Sequence, residues 1–318
     1  MGWKAGIAGL ALLGVALSAQ AQPSPQIVAV SEAPVIANFQ GEVGGTGPFP
    51  ARGYSATSLP THTIYAPVTL PPGKMPVFAW AEGGCADNGA QYEKFLRQIA
   101  SQGILVMAIG PPRQRVERPA GAAPPPPPNP GGPESGTDPT QPSQLIDALN
   151  WAKRENSRRG SRFYHRLDVN NAAVGGHSCG GLQALAVSAD PRIRTTLVMN
   201  SGVYVRPGGR SGVRIGKDAL TRLHAPALYV LGGPTDIAYV NGMDDFDKIT
   251  TVPVMAINLA VGHGGTYQQA DGGPYGAVVS AWLRWRLLGD DAAGRMFLGR
   301  QCGLCTDATW TVARKGLG

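Results

Sequence analysis

The sequence predicts an α/β protein: a mostly parallel central sheet with helices on both faces. Three observations carry that expectation. Short continuous apolar runs alternate with stretches of helical periodicity, as parallel strands covered on both faces require. A tight Gly-rich turn, Gly176-His177-Ser178-Cys179-Gly180, separates one such run from a helix-like stretch. Glycine-rich loops follow the ends of several other runs, where sheets of this type place their chemistry.

The elements follow in order. Lys4 gives a positive start, Ala5 to Leu17 is apolar but too short to span a bilayer, and Ala19-Gln20-Ala21 reads as a cleavage signal. Residues 1–21 are therefore expected to be a signal peptide, with a soluble mature chain exported to a periplasm or secreted. Residues 22–60 are rich in Pro, Gly, Ala and Ser and read as an irregular N-terminal arm. The rest, 61–318, reads as one domain. Thr61 to Tyr65 alternates like a strand, and Pro76 to Trp80 is a buried-strand candidate. Tyr92, Phe95, Leu96 and Ile99 recur at helical spacing, and Gly103 ends that helix. Ile104 to Ile109 is a second apolar run. Residues 119–142, with the proline run Pro124 to Pro128, are expected to form a surface loop, since so many prolines break both helix and ladder. Leu145, Ile146, Leu149 and Ala152 share one helix face, and Ala172 to Gly175 leads into the Gly-rich turn. Runs at 197–199, 227–231 and 254–259 are the next strands. Residues 277–288 read as a helix whose Val278, Trp282 and Trp285 pack inward.

Composition narrows the function. Only 15% of the 318 residues are charged and 43% are hydrophobic, which marks a globular chain. The net charge is +7, but the basic residues are scattered. Their densest cluster, Lys153, Arg154, Arg158 and Arg159, reads as the polar end of a helix, so no nucleic-acid partner is expected. No later stretch is long and apolar enough to span a membrane, and the chain is expected to act as a monomer.

The pattern Gly-x-Ser-x-Gly is weak alone: 44 glycines and 15 serines make about 0.3 chance matches expected. Its setting strengthens it. A strand, a tight turn and a helix push a serine out of the backbone, where its hydroxyl can attack a carbonyl. A hydroxyl needs a base to take its proton, usually a histidine held by a carboxylate. On this kind of turn the chain order is serine, acid, histidine. Of the five histidines, His62 and His165 precede Ser178 and His177 adjoins it. His224 lies before a strand, at the wrong edge of the sheet. His263 lies just after one, in Gly262-His263-Gly264-Gly265, and is the expected base. Asp236 follows the run 227–231 and is the expected acid. Asp244, Asp245 and Asp247 read as a solvated helix face, and Asp190 as a helix end.

The developing oxyanion needs N–H donors. One is expected from Cys179, the residue after the serine. The other is expected from Trp80-Ala81-Glu82-Gly83-Gly84-Cys85, through Gly84 or Cys85. The competing reading of that loop is an ordinary glycine turn. If both amides face one oxygen, the Cα atoms of Cys85 and Cys179 fall in disulfide range, roughly 4.4–6.8 Å. A Cys85–Cys179 bridge is therefore expected, leaving Cys302 and Cys305 to pair locally as a staple. Glu82 and Asp87 are possible carboxylates for binding a free amine, or exposed loop charges.

With these residues in place, the chain resembles the α/β hydrolases, nearest to the dienelactone-hydrolase-like group with its secreted polyester hydrolases, cutinase-like enzymes and chlorophyllases. The likeness rests on Ile99 to Gly103 before an apolar strand, Leu167-Asp168-Val169, Gly176 to Gly181, Asp236 and His263, over roughly residues 60–290. Two features depart from it. Polyester hydrolases usually carry an aromatic residue where Gly84 and Cys85 stand, and the proline-rich insertion has no clear counterpart. The resemblance implies the α/β-hydrolase fold and a carboxylic-ester hydrolase that uses Ser178 as nucleophile, His263 as base and Asp236 as orienting acid. Its substrate would be a small or polymeric ester, with no metal or cofactor. A peptidase or acyltransferase with the same three residues is the nearest alternative, and a non-catalytic binding protein on the same fold is the other.

Overall fold

The apolar runs become the interior strands of one sheet. The computed structural model describes residues 1–2, 34–114, 139–206 and 213–317. Residues 3–21 of the expected signal peptide, 22–33 of the arm and 119–138 of the proline-rich stretch lie outside them. The order along the chain is β1 (Ala51–Ser55), β2 (His62–Pro67), β3 (Met75–Ala81), α1 (Glu93–Ala100), β4 (Leu105–Ile109), α2 (Ser143–Ser157), β5 (Leu167–His177), α3 (Cys179–Val187) and β6 (Ile193–Met199). Then follow β7 (Ala227–Leu231), α4 (Tyr239–Lys248), β8 (Val254–Leu259), α5 (Gly273–Leu288), α6 (Asp291–Gly294), α7 (Gly303–Thr306) and β9 (Trp310–Lys315).

Among the described residues the sheet has nine strands in the order β1-β2-β4-β3-β5-β6-β7-β8-β9. The six from β4 to β8 are parallel, while β1 and β2 at one edge and β9 at the other are antiparallel. Alternation along each strand splits the core in two. Phe78 and Trp80 of β3 face α1 and α5 with Phe95, Ile99 and Trp282. Val77 and Ala79 face the other way, onto Leu145 and Leu149 of α2. Beyond them Leu182 and Leu185 of α3 pack with Phe246 of α4. Each such fully buried apolar side chain contributes about 1.5–3 kcal/mol. Trp282 meets Trp285 edge-on and Trp285 stacks on Phe297, so these tryptophans are packing residues. None of the described helices is long and apolar enough to cross a membrane.

The topology sets where a site can form. The chain leaves β3 through α1 to β4 on one side, then crosses back through α2 to β5 on the other side of β3. The helices after β3 and β5 therefore cover opposite faces, and in sheets of this kind the carboxyl ends of two such strands are where ligands bind. Trp80 pairs with Gly175 and Ala81 with Gly176, so the loop after β3 and the turn after β5 emerge side by side.

The structure differs from the sequence reading in three places. The arm is not irregular throughout: residues 51–55 form β1, because their backbone pairs with β2 from Ala51–Pro67 to Ser55–Thr63. The tail is more than a staple, since Trp310–Lys315 closes the far edge on β8. Asp245 is not solvated but fully buried. It accepts hydrogen bonds from Lys217 Nζ (2.6 Å), Val203 N (2.8 Å) and Tyr229 Oη (3.2 Å). Burial pushes its carboxyl up to about 6 despite these donors.

Candidate active site

Ser178 caps α3 with φ 52° and ψ −116°, a left-handed backbone that non-glycine residues rarely adopt. Such strain costs roughly 1–3 kcal/mol and persists only where the surroundings impose it. Here they do. Ser178 N donates to Met199 O at 2.9 Å, and Ser201 Oγ donates to Ser178 O at 2.6 Å. The flanking glycines are steric necessities: a Cβ on Gly176 would collide with the Gly180 backbone, and one on Gly180 with the Ala81 carbonyl. Glycine at these two positions is thus what lets the turn run so close to β3.

Ser178, His263 and Asp236 are brought together by three loops at the carboxyl ends of β5, β8 and β7. Ser178 Oγ lies 2.9 Å from His263 Nε2, and His263 Nδ1 lies 2.6 Å from Asp236 Oδ1. A carboxylate only accepts, so Nδ1 carries the proton that binds Asp236. In the neutral ring Nε2 then offers its lone pair to the serine hydroxyl. His263 is half-buried, whereas Asp236 is only 3% exposed. Burial by itself would raise the Asp236 carboxyl. Hydrogen bonds from His263, from the Ala238 and Gly232 amides and from Asn200 Nδ2 outweigh it and hold the group down to about 2. Asp236 is therefore a fixed anion with all its acceptor directions occupied.

The other expected residues lie around this chain. Gly83–Cys85 form a single 3-10 turn directly after β3, with Gly84 exposed at φ 66° and Cys85 buried. Cys179 opens α3, at the positive end of its dipole. Cys85 and Cys179 are joined by a disulfide with Cα atoms 5.2 Å apart, and Cys302 and Cys305 by another. His224 is bonded to Ile193 O at the amino end of β6, on the opposite edge of the sheet. Asp190 turns the chain after α3 and pairs with Arg192. Glu82 is not an exposed loop charge: it is wholly buried, and burial raises its carboxyl well above the ordinary value against the lowering effect of the neighbouring Trp80 indole N–H. Asp87 is occupied by Arg113 at 2.6 Å.

Several residues here went unread in the sequence. Asn200 ties Asp236 Oδ2 (2.8 Å) to the Gly262 carbonyl (3.2 Å), and itself accepts from Tyr267 Oη at 2.7 Å. Its signal was a polar Asn200-Ser201 pair ending the apolar run of β6, next to the turn strand. His177, set aside because it adjoins Ser178, is buried between Tyr92 and the His263 loop.

No protein-family model matches the chain, and no curated protein matches it. The reading of the site therefore stands on its geometry.

Proposed function

We propose that the protein is a serine hydrolase of carboxylic esters on an α/β-hydrolase fold. The observation that carries this reading is the continuous hydrogen-bonded chain Ser178–His263–Asp236, with links of 2.9 Å and 2.6 Å. The parallel sheet with the serine on a strained turn after its central strand β5 supports the fold assignment.

In this reading Ser178 Oγ attacks the acyl carbonyl carbon while its proton passes to His263 Nε2. The tetrahedral oxyanion is met by backbone N–H groups of Cys179 and of the Gly84–Cys85 turn. As the intermediate collapses, the ester C–O bond breaks and the leaving alcohol takes the proton from Nε2. A water then repeats the sequence on the acyl-enzyme and frees the acid. Asp236, held ionised, keeps the imidazole in the Nδ1–H form and stabilises the imidazolium that forms transiently. This route asks nothing of a metal or cofactor. An ester reading is favoured over an aminopeptidase because neither candidate carboxylate is free to bind an amine: Glu82 is wholly buried and Asp87 pairs with Arg113. Two disulfides support an oxidising compartment, and with the N-terminal segment they support export.

The test is hydrolysis of p-nitrophenyl esters, acetate to long chain, by wild type and Ser178→Ala. Turnover is expected in wild type and its loss in the variant, with the chain-length optimum sizing the acyl site. Equal release by both proteins would overturn the reading.

A further inference from the structure

His177, the residue before the nucleophile, is the best-connected side chain near the site that the proposed mechanism leaves unused. It ends β5, is 7% exposed, and bonds through both ring nitrogens. Nε2 lies 2.9 Å from the backbone carbonyl of His263, and Nδ1 lies 2.9 Å from Tyr92 Oη. The proton positions follow. A carbonyl only accepts, so Nε2 carries the hydrogen. Burial first, and the neighbouring His263 second, push His177 down to about 4, so the ring is neutral at ordinary pH and Nδ1 is bare. Tyr92 therefore donates to Nδ1. Its oxygen in turn accepts from Gln91 Nε2 at 3.1 Å. The chain Gln91 to Tyr92 to His177 to His263 runs in one direction only.

Packing holds it in place. A Cβ on Gly83 would collide with His177 Nδ1 and crowd Tyr92 Oη, so the turn after β3 closes directly over this pair. Tyr267, four residues beyond His263, lies with its ring centroid 4.6 Å from Tyr92 and 5.0 Å from His177. The turn strand, the turn after β3 and the His263 loop thus meet at one imidazole.

We propose that His177 is a positioning residue: Tyr92, donating to Nδ1, fixes the orientation of the ring, and the Nε2–H so aimed pins the His263 backbone so that the His263 ring stays between Ser178 and Asp236. The consequence for turnover rests on the hydrolase reading; the pinning itself does not. Were the ring to lose its anchor at Nδ1 and tilt, the bond from Nε2–H to the His263 carbonyl would lengthen and release the loop. A displacement of about 1 Å there is enough to cost up to about a hundredfold in rate.

Three variants separate this from a merely structural role. Tyr92→Phe keeps the ring packing and removes only the hydroxyl. His177→Gln places an amide N–H near the Nε2 position and needs no anchor at Nδ1. The third combines them. With p-nitrophenyl acetate, Tyr92→Phe is expected to lower kcat about tenfold with KM little changed. His177→Gln should stay within about threefold of wild type, and adding Tyr92→Phe to it should cost nothing further, a non-additivity only a shared path produces. Side-chain 15N–1H spectra give a readout independent of turnover: Tyr92→Phe should shift the His177 Nε2 proton and with it the His263 Nδ1 proton, while His177→Gln should leave the His263 proton in place. If Tyr92→Phe changes neither kcat nor the His263 proton, or if its cost is the same in both backgrounds, the proposal fails. If wild type hydrolyses no ester, the hydrolase reading fails separately. The His263 proton alone then decides: moved in Tyr92→Phe it upholds the pinning, unmoved it overturns it.

Discussion

Cys85 and Cys179 lie 94 positions apart in the chain, yet their disulfide ties the turn after β3 to the first residue of α3, beside Ser178. The bridge joins the two segments from which backbone donors would meet a developing oxyanion. It also closes the longer of the two covalent loops; the other, Cys302–Cys305, joins residues three positions apart.

Loss of that bridge should therefore touch both stability and rate. A disulfide is typically worth about 2–4 kcal/mol, chiefly by restricting the unfolded chain, with long loops at the upper end. The double variant Cys85→Ser/Cys179→Ser should unfold at lower denaturant by that amount. Its p-nitrophenyl ester turnover should fall about tenfold or more as the donors lose their fixed spacing. Cys302→Ser/Cys305→Ser should change stability far less and leave turnover intact. Equal effects from the two double variants, in denaturation and in rate, would contradict this assignment.

Asp236→Asn should be the most damaging conservative change outside Ser178 and His263. The amide cannot hold His263 in the Nδ1–H form, and kcat should fall by about 10³–10⁴. Asn200→Ala removes one of four donors to Asp236 and should cost about tenfold, one charge-assisted hydrogen bond of ~1.4 kcal/mol. Steady-state kinetics on one ester would rank the two; a larger loss in Asn200→Ala would reverse the order argued here.

Glu82 predicts a pH signature in stability. Its folded carboxyl is raised above the ordinary 4.5 by complete burial, so the native state holds a proton that the unfolded chain releases. The sign follows: this contribution is full below about 4.5 and is lost as pH rises toward the raised value. Glu82→Gln removes the titration. Wild type should therefore lose stability relative to the variant by about 1.4 kcal/mol per pH unit above 4.5. Denaturant melts of both proteins at several pH values would show it; parallel curves would mean that the carboxyl is not held neutral.

Lys217 and Asp245 make a structural prediction away from the site. Lys217→Met leaves the fully buried Asp245 without its cation, and breaking such a pair costs about 2–4 kcal/mol after allowance for the partly exposed lysine. Changing Asp245→Asn as well should recover part of the loss, because the uncompensated charge goes with it. Chemical denaturation of the single and double variants measures both.

The interior strands were legible because their apolar runs admit few other fates: Leu105–Ile109 and Val254–Leu259 stand where the composition put them. The edge strands were not. Ala51–Ser55 and Trp310–Lys315 carry no comparable run, and their extended state comes from pairing with β2 and β8. The residues of the hydrogen-bonded chain were legible for a topological reason. Ser178, Asp236 and His263 each follow a parallel strand, and parallel strands deliver their carboxyl ends to one edge.

By itself, then, the sequence determined the α/β layering, the turn at Ser178 and the short choice of carboxylate and histidine to join it. These follow from local pattern and chain order, which act over a few residues or along one strand. Only the tertiary structure decided that Asp245 and Glu82 are buried, that Asn200 braces Asp236, and that His177 faces the His263 carbonyl with Tyr92 behind it. Polar side chains carry no periodic signal of their own destination. Whether one is solvated, paired or buried depends on which donors and acceptors distant segments bring to it, and that is set only when the strands assemble.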